Sequence, residues 1–302
     1  MRDFIGYANR PPMSRWPNNA SVAVNFVLNY EEGSEYSITD GYGRSETALI
    51  EVNAARVPAG RRDFAAESMC EYGSRVGFWR VYRLFRERGL PLTIFAAALA
   101  LERNREVAKA IAETDWDLVA HGYRWIEHYH LDEATEREHI AKAYSSIKAS
   151  VGRAPQGWYC RYSPTVDTRR LVVEHGGYGY DSDAYNDEVP YWLDVAGTPH
   201  LVLPYSLVTN DAKILAGGGI ENAADYAQFL IDTFDVLAAE GRATPRMMSV
   251  GLHPRVIGHP GRIAGLARFL DHIAKSSEVW IARRADIAAH WRATNPAQAV
   301  AS

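Results

Sequence analysis

Short apolar runs alternate with amphipathic patterns along most of this chain, and this alternation constrains its fold more than any other feature. The apolar runs are nearly continuous, as expected for strands that are buried on both faces. Strands that alternate with helices predict a parallel sheet or barrel. The predicted strands are residues 21–30, 92–101, 116–121, 157–161, 178–183, 201–206, 248–253 and 279–282.

The amphipathic patterns predict the helices that connect these strands. Apolar residues recur at spacings of three and four, the period of one helical face, in residues 72–88, 132–150, 222–239 and 262–274. Residues 33–62 are polar with weak periodicity, so we expect a long excursion after the first strand. Because we find no internal repeat and no domain boundary, the sequence predicts one barrel domain over residues 1–302, with a frayed tail at 295–302.

Composition and charge exclude several classes of function. The formal net charge is −4 and lysine and arginine form no stripe, so we expect no nucleic-acid partner. No run approaches the roughly 20 apolar residues of a membrane span. Two cysteines cannot build a disulfide framework, and the N-terminus lacks the apolar core of a signal peptide. These features predict a cytoplasmic protein that acts on a small molecule rather than on an external polymer.

Two adjacent carboxylates, Glu31 and Glu32, follow the first predicted strand directly after Tyr30. At the carboxyl end of a strand, such a pair can supply a general base and the group that orients it. Burial and mutual repulsion can raise the pKa of one carboxyl group toward neutrality. The alternative is the solvated start of a loop, where acidic pairs are common.

His121 ends the third predicted strand, and Trp125 follows it at the fourth position. Two histidines at that spacing would be half of a zinc site, but a tryptophan cannot bind a metal ion. Arg124 can donate to a substrate carbonyl or pair with a carboxylate at the surface. The segment therefore predicts either chemistry without a histidine pair or a histidine with a structural role.

Two later strands also end in residues that can do chemistry. Tyr159 and Arg161 close the fourth strand, where an arginine can stabilise an oxyanion or support a neighbouring loop. His253 ends the seventh strand before a proline, and it can protonate a departing nitrogen or serve structure alone.

Polar and aromatic residues follow the fifth predicted strand. Asp183 can bind a polar substrate, while Tyr185 and Trp192 can cover a flat ring or pack over the barrel mouth. Each of these clusters is a weak signal alone. Because a barrel brings the carboxyl ends of its strands to one mouth, their recurrence there predicts an active site.

Four segments, residues 26–33, 121–125, 181–192 and 251–254, resemble one known family in combination. They are similar to the polysaccharide deacetylase (NodB-like) family and, more narrowly, to its metal-independent bacterial allantoinase branch. The resemblance extends from about residue 4 to about residue 292. It implies a distorted (β/α) barrel with about seven parallel strands.

The resemblance also implies where the site residues stand. In the metal-dependent members an aspartate pair and two histidines four residues apart bind the metal. Glu31 and Glu32 correspond to the aspartate pair, while His121 and Trp125 correspond to the two histidines. The resemblance therefore implies no metal and no other cofactor, and it implies a homo-oligomer, a tetramer.

The residues and the resemblance together predict a hydrolase that opens a cyclic amide, first of all the hydantoin ring of allantoin to give allantoate. Glu31 or Glu32, with His121, would activate water. Arg161 or backbone N–H groups would hold the oxyanion, and His253 would protonate the departing nitrogen. Two alternatives are a metal-dependent N-deacetylase of sugar polymers and a non-catalytic, metabolite-binding barrel. The other expected substrate contacts are Tyr30, Arg124, Trp125, Tyr159, Asp183, Tyr185 and Trp192.

Overall fold

A curled, mostly parallel sheet with helices packed against it forms the structure, a computed structural model that describes residues 2–52, 57–216, 220 and 222–297. The strand order is β6-β7-β5-β4-β3-β2-β1-β8, and β9 also pairs with β1. The strands are β1 (Val22–Tyr30), β2 (Thr93–Ala96), β3 (Asp117–Ala120), β4 (Gly157–Trp158), β5 (Tyr180–Asp181), β6 (Tyr191–Val195), β7 (Thr198–Val202), β8 (Arg246–Leu252) and β9 (Val279–Ile281).

Seven strands, from β7 to β8 in this order, form one parallel path, and this confirms the predicted distorted barrel. The curled sheet does not close through a full ladder in the described part of the chain, where a single bridge joins Asn210 to Gly251 in β8. The hairpin of β6 and β7 is antiparallel. Sequence patterns missed β6, because its residues were interpreted as an aromatic turn.

Ten helices lie in the described residues, and none of them has both the length and the apolar character of a membrane span. The helices predicted at 132–150, 222–239 and 262–274 are found with shifts of one or two residues at their ends, whereas the one predicted at 72–88 begins with a π-helical turn and is an α-helix only from Phe78 to Glu87. The helices are α1 (Phe64–Tyr72), α2 (Phe78–Glu87), α3 (Ala98–Arg103), α4 (Arg105–Ala112), α5 (Glu133–Val151), α6 (Thr168–His175), α7 (Ala223–Gly241), α8 (Pro254–Ile257), α9 (Pro260–Ile273) and α10 (Arg284–Thr294).

Strand β1 organises the core because every one of its residues is buried. Side chains alternate between the two faces of a strand. Phe26 packs in the large cluster that contains Phe85 of α2 and Phe269 of α9, whereas Val27 belongs to a second cluster together with Phe95 of β2. The strand is therefore covered on both sides, which explains its continuous apolar pattern.

The predicted strand at residues 92–101 is wrong in its second half. Only Thr93–Ala96 is a strand, and Ala98–Arg103 forms α3. Alanine and leucine are strong helix formers, and a short apolar run does not distinguish a buried strand from a buried helix. The shorter strand brings the chain out of the sheet at the edge where the site lies.

A π-helical turn joins α1 to α2 and packs closely against α8. The turn spans Gly73–Gly77. A Cβ atom at Gly77 would overlap the carbonyl oxygen of Pro254, and one at Gly73 would overlap the carboxylate of Glu32. The two glycines therefore allow α8 to approach, and α8 follows directly after His253.

The excursion expected at residues 33–62 is polar and holds one short 3-10 turn, Ile38–Asp40, among its described residues. It folds over the site, because Leu49 lines the cavity described below and Glu46 pairs with Arg161. Residues 53–56 of the excursion and residues 298–302 of the expected tail lie outside the described residues.

Candidate active site

A cavity of about 330 Å³ opens at the carboxyl ends of β1, β3, β4 and β8. This is the edge where parallel α/β sheets bind their ligands. Its wall contains aromatic rings, and its polar groups come from at least four separate segments of the chain. Six of the residues expected from the sequence line it: Glu31, His121, Trp125, Tyr159, Arg161 and His253.

Glu31 is the one carboxylate among the described residues that line the cavity. His121 Nε2 lies 3.0 Å from Oε1, Arg255 Nη2 donates to Oε2 at 2.7 Å, and His253 Nε2 lies 3.6 Å from Oε1. Burial acts to raise the pKa of this carboxyl group. The positive charges of Arg255 and His253 and the hydrogen bond from His121 outweigh burial and lower the pKa to about 2. Glu31 is therefore an anion at neutral pH.

Glu32 points away from the cavity. Its carboxylate accepts hydrogen bonds from the backbone N–H of Glu31 at 3.2 Å and from Nη1 of Arg255 at 3.3 Å, beside Gly73. Burial raises the pKa of Glu32 to about 7, against the opposing charge of Arg255. The sequence left open which carboxylate is the base, and of the two the structure places Glu31 at the cavity.

Both ring nitrogens of His121 face acceptors. Nδ1 lies 3.1 Å from the carbonyl oxygen of Tyr159, and Nε2 lies 3.0 Å from Glu31. His121 therefore ties the end of β3 to the ends of β1 and β4 and holds the Glu31 carboxylate in place.

His253 is oriented by a carboxylate that the sequence did not reveal. Nδ1 lies 2.6 Å from Oδ1 of Asp211, and Oδ2 of Asp211 accepts the backbone N–H groups of His253 and Ile257 at 2.7 and 3.1 Å. Burial acts to lower the pKa of His253, but the charges of Asp211 and Glu31 raise it above its usual range. Nε2, the other ring nitrogen, is thus presented to the cavity.

Arg161 lines the cavity, yet each of its donor nitrogens is already bound. Nη1 donates to Glu46 at 2.5 Å and to the carbonyl oxygen of Trp125 at 3.3 Å. Nη2 donates to Glu46 at 3.3 Å and lies 3.4 Å from Glu127, and Nε donates to Tyr162 at 3.3 Å. These five contacts match the five N–H groups of a guanidinium. They leave no free N–H for the oxyanion that the sequence assigned to Arg161.

Arg255 of α8 is the cation that sequence reasoning missed. Its guanidinium joins the two acidic neighbours, at 2.7 Å from Glu31 and 3.3 Å from Glu32. Its Nε donates to the carbonyl oxygen of Leu49 at 3.0 Å. The ring of Trp125 lies 4.7 Å from this guanidinium and 3.7 Å from that of Arg161. Trp125 therefore packs between two arginines.

This donor set does not fit a divalent metal ion. Both oxygens of Glu31 are occupied, Trp125 offers no lone pair, and an ion held by Glu31 and Glu32 would meet the Arg255 guanidinium. No group of three or more metal-binding side chains is arranged for an ion within the described residues. Metal independence stays a prediction, and its physical reason is that these side chains do not fit a divalent ion.

Six residues expected at the site lie outside the cavity. Besides Glu32, the hydroxyl of Tyr30 bonds to Ser74 at 2.8 Å, and Arg124 pairs with Asp40 at 2.6 Å. Tyr30 is on the outer face of β1 because side chains alternate along a strand. These positions give Tyr30 and Arg124 structural contacts rather than the substrate contacts that we expected.

The three expected residues after β5 lie behind or beside the cavity. Asp183 accepts the backbone N–H of Cys160 at 2.9 Å. Tyr185 and Trp192 line an adjoining open crevice of about 1890 Å³ next to the β6–β7 hairpin, which shares Tyr205 and Leu207 with the cavity. Tyr185 still reaches the cavity wall indirectly, because its hydroxyl bonds to that of Tyr159 at 2.9 Å.

The cavity also contains polar residues that the sequence reading did not single out. Asn29 lies on the inner face of β1, and a polar residue at alternate positions of an apolar strand was a readable signal. Tyr205, Asn210 and Lys213 come from the segment between β7 and α7. No motif marks that segment, because its contact with β8 depends on how the sheet curls.

Comparison with known proteins assigns the family. The family model for polysaccharide deacetylase matches residues 67–180. A putative polysaccharide deacetylase of Schizosaccharomyces pombe is 39% identical over 317 residues, which cover 99% of this chain and 99% of the relative. The chain therefore belongs to the polysaccharide deacetylase family, and the resemblance read from its motifs is confirmed.

Two solved structures are similar over nearly the whole chain. One is described as a probable polysaccharide deacetylase from Pseudomonas aeruginosa PAO1, with 47% identity and a TM-score of 0.94. The other is described as PuuE allantoinase, with 46% identity and a TM-score of 0.94. Each covers 98% of this chain and 99% of the other. The fold is therefore the NodB-like barrel of this family of hydrolases.

Proposed function

We propose that this protein hydrolyses a cyclic amide, and that the hydantoin ring of allantoin is its leading substrate. The observation that carries the proposal is the Arg255 guanidinium, which binds both Glu31 and Glu32, the residues that correspond to the aspartate pair of the family's metal-dependent members. Without a Lewis acid, an activated ring amide is a more accessible substrate than a plain acetamide. The 46% identity to a structure described as PuuE allantoinase supports the same choice.

The size and the wall of the cavity suit a small planar ring. Its volume of about 330 Å³ is at the lower end of the range for small-molecule sites, roughly 300–1,000 Å³. Trp125, Tyr159 and Tyr205 supply aromatic surface. A planar hydantoin can pack against such rings, while the polar groups fix its orientation.

We assign proton transfer to His253 and the positioning of water to Glu31. A carboxylate with a pKa of about 2 accepts a hydrogen bond well, but it is a weak proton acceptor at neutral pH. Neutral His253 takes a proton from water as the water oxygen adds to the ring carbonyl. It then gives this proton to the ring nitrogen as the C–N bond breaks, so that a carboxylic acid and an N–H group are formed. Asp211 keeps the Nδ1 proton of His253 in place, which leaves Nε2 free for this transfer.

N-deacetylation of a sugar is the second candidate, because two close relatives are named as deacetylases. Both reactions cleave a C–N bond with water, so the proton-transfer residues do not distinguish them. The metal requirement and the identity of the substrate distinguish the two reactions.

A substrate panel with and without chelator tests the proposal. The purified protein is dialysed against EDTA and assayed on allantoin, other hydantoins, cyclic imides and an N-acetylated sugar oligomer, with Glu31→Gln as a background for contaminating activity. Ring opening is followed as acid release in a pH-stat, and deacetylation as free acetate. We expect chelator-resistant opening of a hydantoin. Activity that is lost on dialysis and restored by zinc, or turnover of the sugar alone, would establish the deacetylase instead, and no turnover of any substrate would favour a binding protein.

A further inference from the structure

Ring opening requires a hydrogen-bond donor for the carbonyl oxygen, which becomes negatively charged as water adds. Neither Arg161 nor Arg255 offers one there. Arg161 lines the cavity but has all five N–H groups bound. Arg255 is not among the described residues that line the cavity, and it is held by two carboxylates and by the carbonyl oxygen of Leu49. The inference below rests on the proposed function and identifies the donor.

Tyr205 lines the cavity, and contacts with its backbone and its ring hold it in place. It follows β7, and its backbone N–H donates to the carbonyl oxygen of Ala184 at 2.8 Å. Its ring lies 5.2 Å from the rings of Phe95 and Tyr159, centroid to centroid. A Cβ atom at Gly251 of β8 would overlap the hydroxyl, so the glycine makes room for it.

Two amides approach the hydroxyl oxygen and donate to it. Nδ2 of Asn29 and Nδ2 of Asn210 each lie 3.2 Å from it. Other bonds fix both amide orientations, because Nδ2 of Asn29 also donates to the carbonyl oxygen of Leu252 and Oδ1 of Asn210 accepts the N–H of Ala212. The amides cannot turn their oxygens toward Tyr205 without losing these bonds.

The proton of the Tyr205 hydroxyl is therefore available. A phenol has one proton to donate, and its oxygen here already accepts two N–H groups. Among the described residues, the hydroxyl makes these two hydrogen bonds, and its oxygen is the acceptor in both. Donation into the oxygen polarises the O–H bond and strengthens it as a donor. Burial also keeps the pKa of Tyr205 above its usual range, so the proton stays on the phenol.

We propose that Tyr205 is a catalytic residue whose hydroxyl donates a hydrogen bond to the carbonyl oxygen of the cyclic amide and stabilises the oxyanion formed when water adds. Asn29 and Asn210 are its positioning residues. The tyrosine supplies one part of the charge stabilisation for which other members of the family use a metal ion. Lys213, which is exposed at the cavity rim, is the competing donor.

The test is Tyr205→Phe, which removes the hydroxyl and keeps the ring. We expect kcat for the cyclic amide to fall by about 10²- to 10³-fold, the scale of one oxyanion donor, while KM changes by a few-fold at most. The matched control is Tyr226→Phe. Tyr226 is buried in α7, and its hydroxyl has no hydrogen-bond partner within the described residues. Its variant should keep the wild-type kcat.

Measurements of kcat, of substrate affinity and of the melting temperature separate the possible outcomes. Tyr205→Phe with the wild-type kcat would overturn the inference, as would an equal loss in Tyr226→Phe or a 10²-fold loss that appears in Lys213→Met instead. A lowered melting temperature with parallel loss of kcat and of substrate affinity would assign Tyr205 to structure. Failure of the proposed function is visible separately, since the wild-type protein would then open no cyclic amide. In Asn210→Leu we expect a smaller loss of kcat than in Tyr205→Phe, with KM preserved.

Discussion

Glu31 and Glu32 are neighbours in the chain but have different surroundings. Glu31 faces the cavity and Glu32 faces Gly73 and Arg255. We predict that Glu31→Gln lowers kcat by about 10²-fold or more, because the water loses its anionic acceptor. Glu32→Gln should keep kcat within about tenfold, because an amide oxygen can still accept from Arg255. Steady-state kinetics of the two variants decide the matter, and the reverse ranking would show that the roles are exchanged.

The pair of Asp211 and His253 predicts a pH dependence. His253 acts as a base in its neutral form, so kcat/KM should fall as pH falls through its pKa, which Asp211 and Glu31 raise above the usual range. In Asp211→Asn the charge that raises this pKa is gone, so the acid limb should move to lower pH. The amide also favours the tautomer with the proton on Nε2, so kcat should fall by roughly 10³-fold or more.

The pH–rate profiles of the wild type and of Asp211→Asn test this prediction. An acid limb that stays at the same pH in both proteins would exclude His253 as the titrating base. His272→Gln is the matched control. His272 also pairs with a carboxylate, Asp235 at 2.8 Å, but it is on the surface and is not among the described residues that line the cavity. His253→Gln should lower kcat by about 10²-fold or more and leave the melting temperature nearly unchanged.

At the level of single residues, the sequence could identify the groups that follow strands directly. Glu31, His121 and His253 each stand immediately after a strand, so the strand pattern alone brings them to one edge. Asp211 and Arg255 could not be found in this way. Asp211 is 42 positions from His253 in the chain, and the direction of Arg255 depends on the short helix α8. Their contacts are products of tertiary packing.

The π-helical turn packs against α8, and this contact positions Arg255 of α8 beside Glu31 and Glu32. Helix propensity alone predicts that Gly77→Ala stabilises the protein by about 1 kcal/mol. The overlap of a Cβ atom with the carbonyl oxygen of Pro254 opposes this, and overpacking typically costs about 1–3 kcal/mol. We therefore expect Gly77→Ala to be neutral to destabilising by up to about 2 kcal/mol and to lower kcat, because α8 must move.

Gly261→Ala is the control for this substitution. Gly261 is in α9, and a Cβ atom there meets nothing within 4 Å. Denaturant unfolding should show Gly261→Ala as neutral or stabilising and with full activity. If Gly77→Ala is as stable and as active as Gly261→Ala, the close packing of α8 on the π-helical turn does not position the site.

Elements were predictable where periodicity was long, as in α5 and α7, whose ends differ from the predicted limits by at most two residues. They were not predictable where short segments compete. One example is the apolar run that divides into β2 and α3, and another is the hairpin strand β6. The secondary structure of both segments depends on which neighbouring elements bury them. Side-chain pattern alone does not contain that information.

For the whole molecule, the homo-tetramer implied by the family resemblance stays a prediction, as do the cytoplasmic location and the small-molecule partner. Phe4 and Ile5 of the N-terminal segment are 78% and 76% exposed beside the large crevice, so this face has apolar surface to bury. We expect light scattering during gel filtration to give the mass of four chains of 33.7 kDa each. A monomer at all concentrations would contradict the prediction, and Phe4→Ser with Ile5→Ser tests whether this face contributes.

The Arg255 guanidinium has a consequence for the conditions under which the protein can work. A charge that is part of the polypeptide has no dissociation constant, so it is present in every folded copy whatever the supply of free metal in the surroundings. It cannot be exchanged for a competing ion or be lost by dilution. Its supply is fixed at translation and is lost only with the fold, so under the proposed function we expect no metal-loading step after the chain has folded.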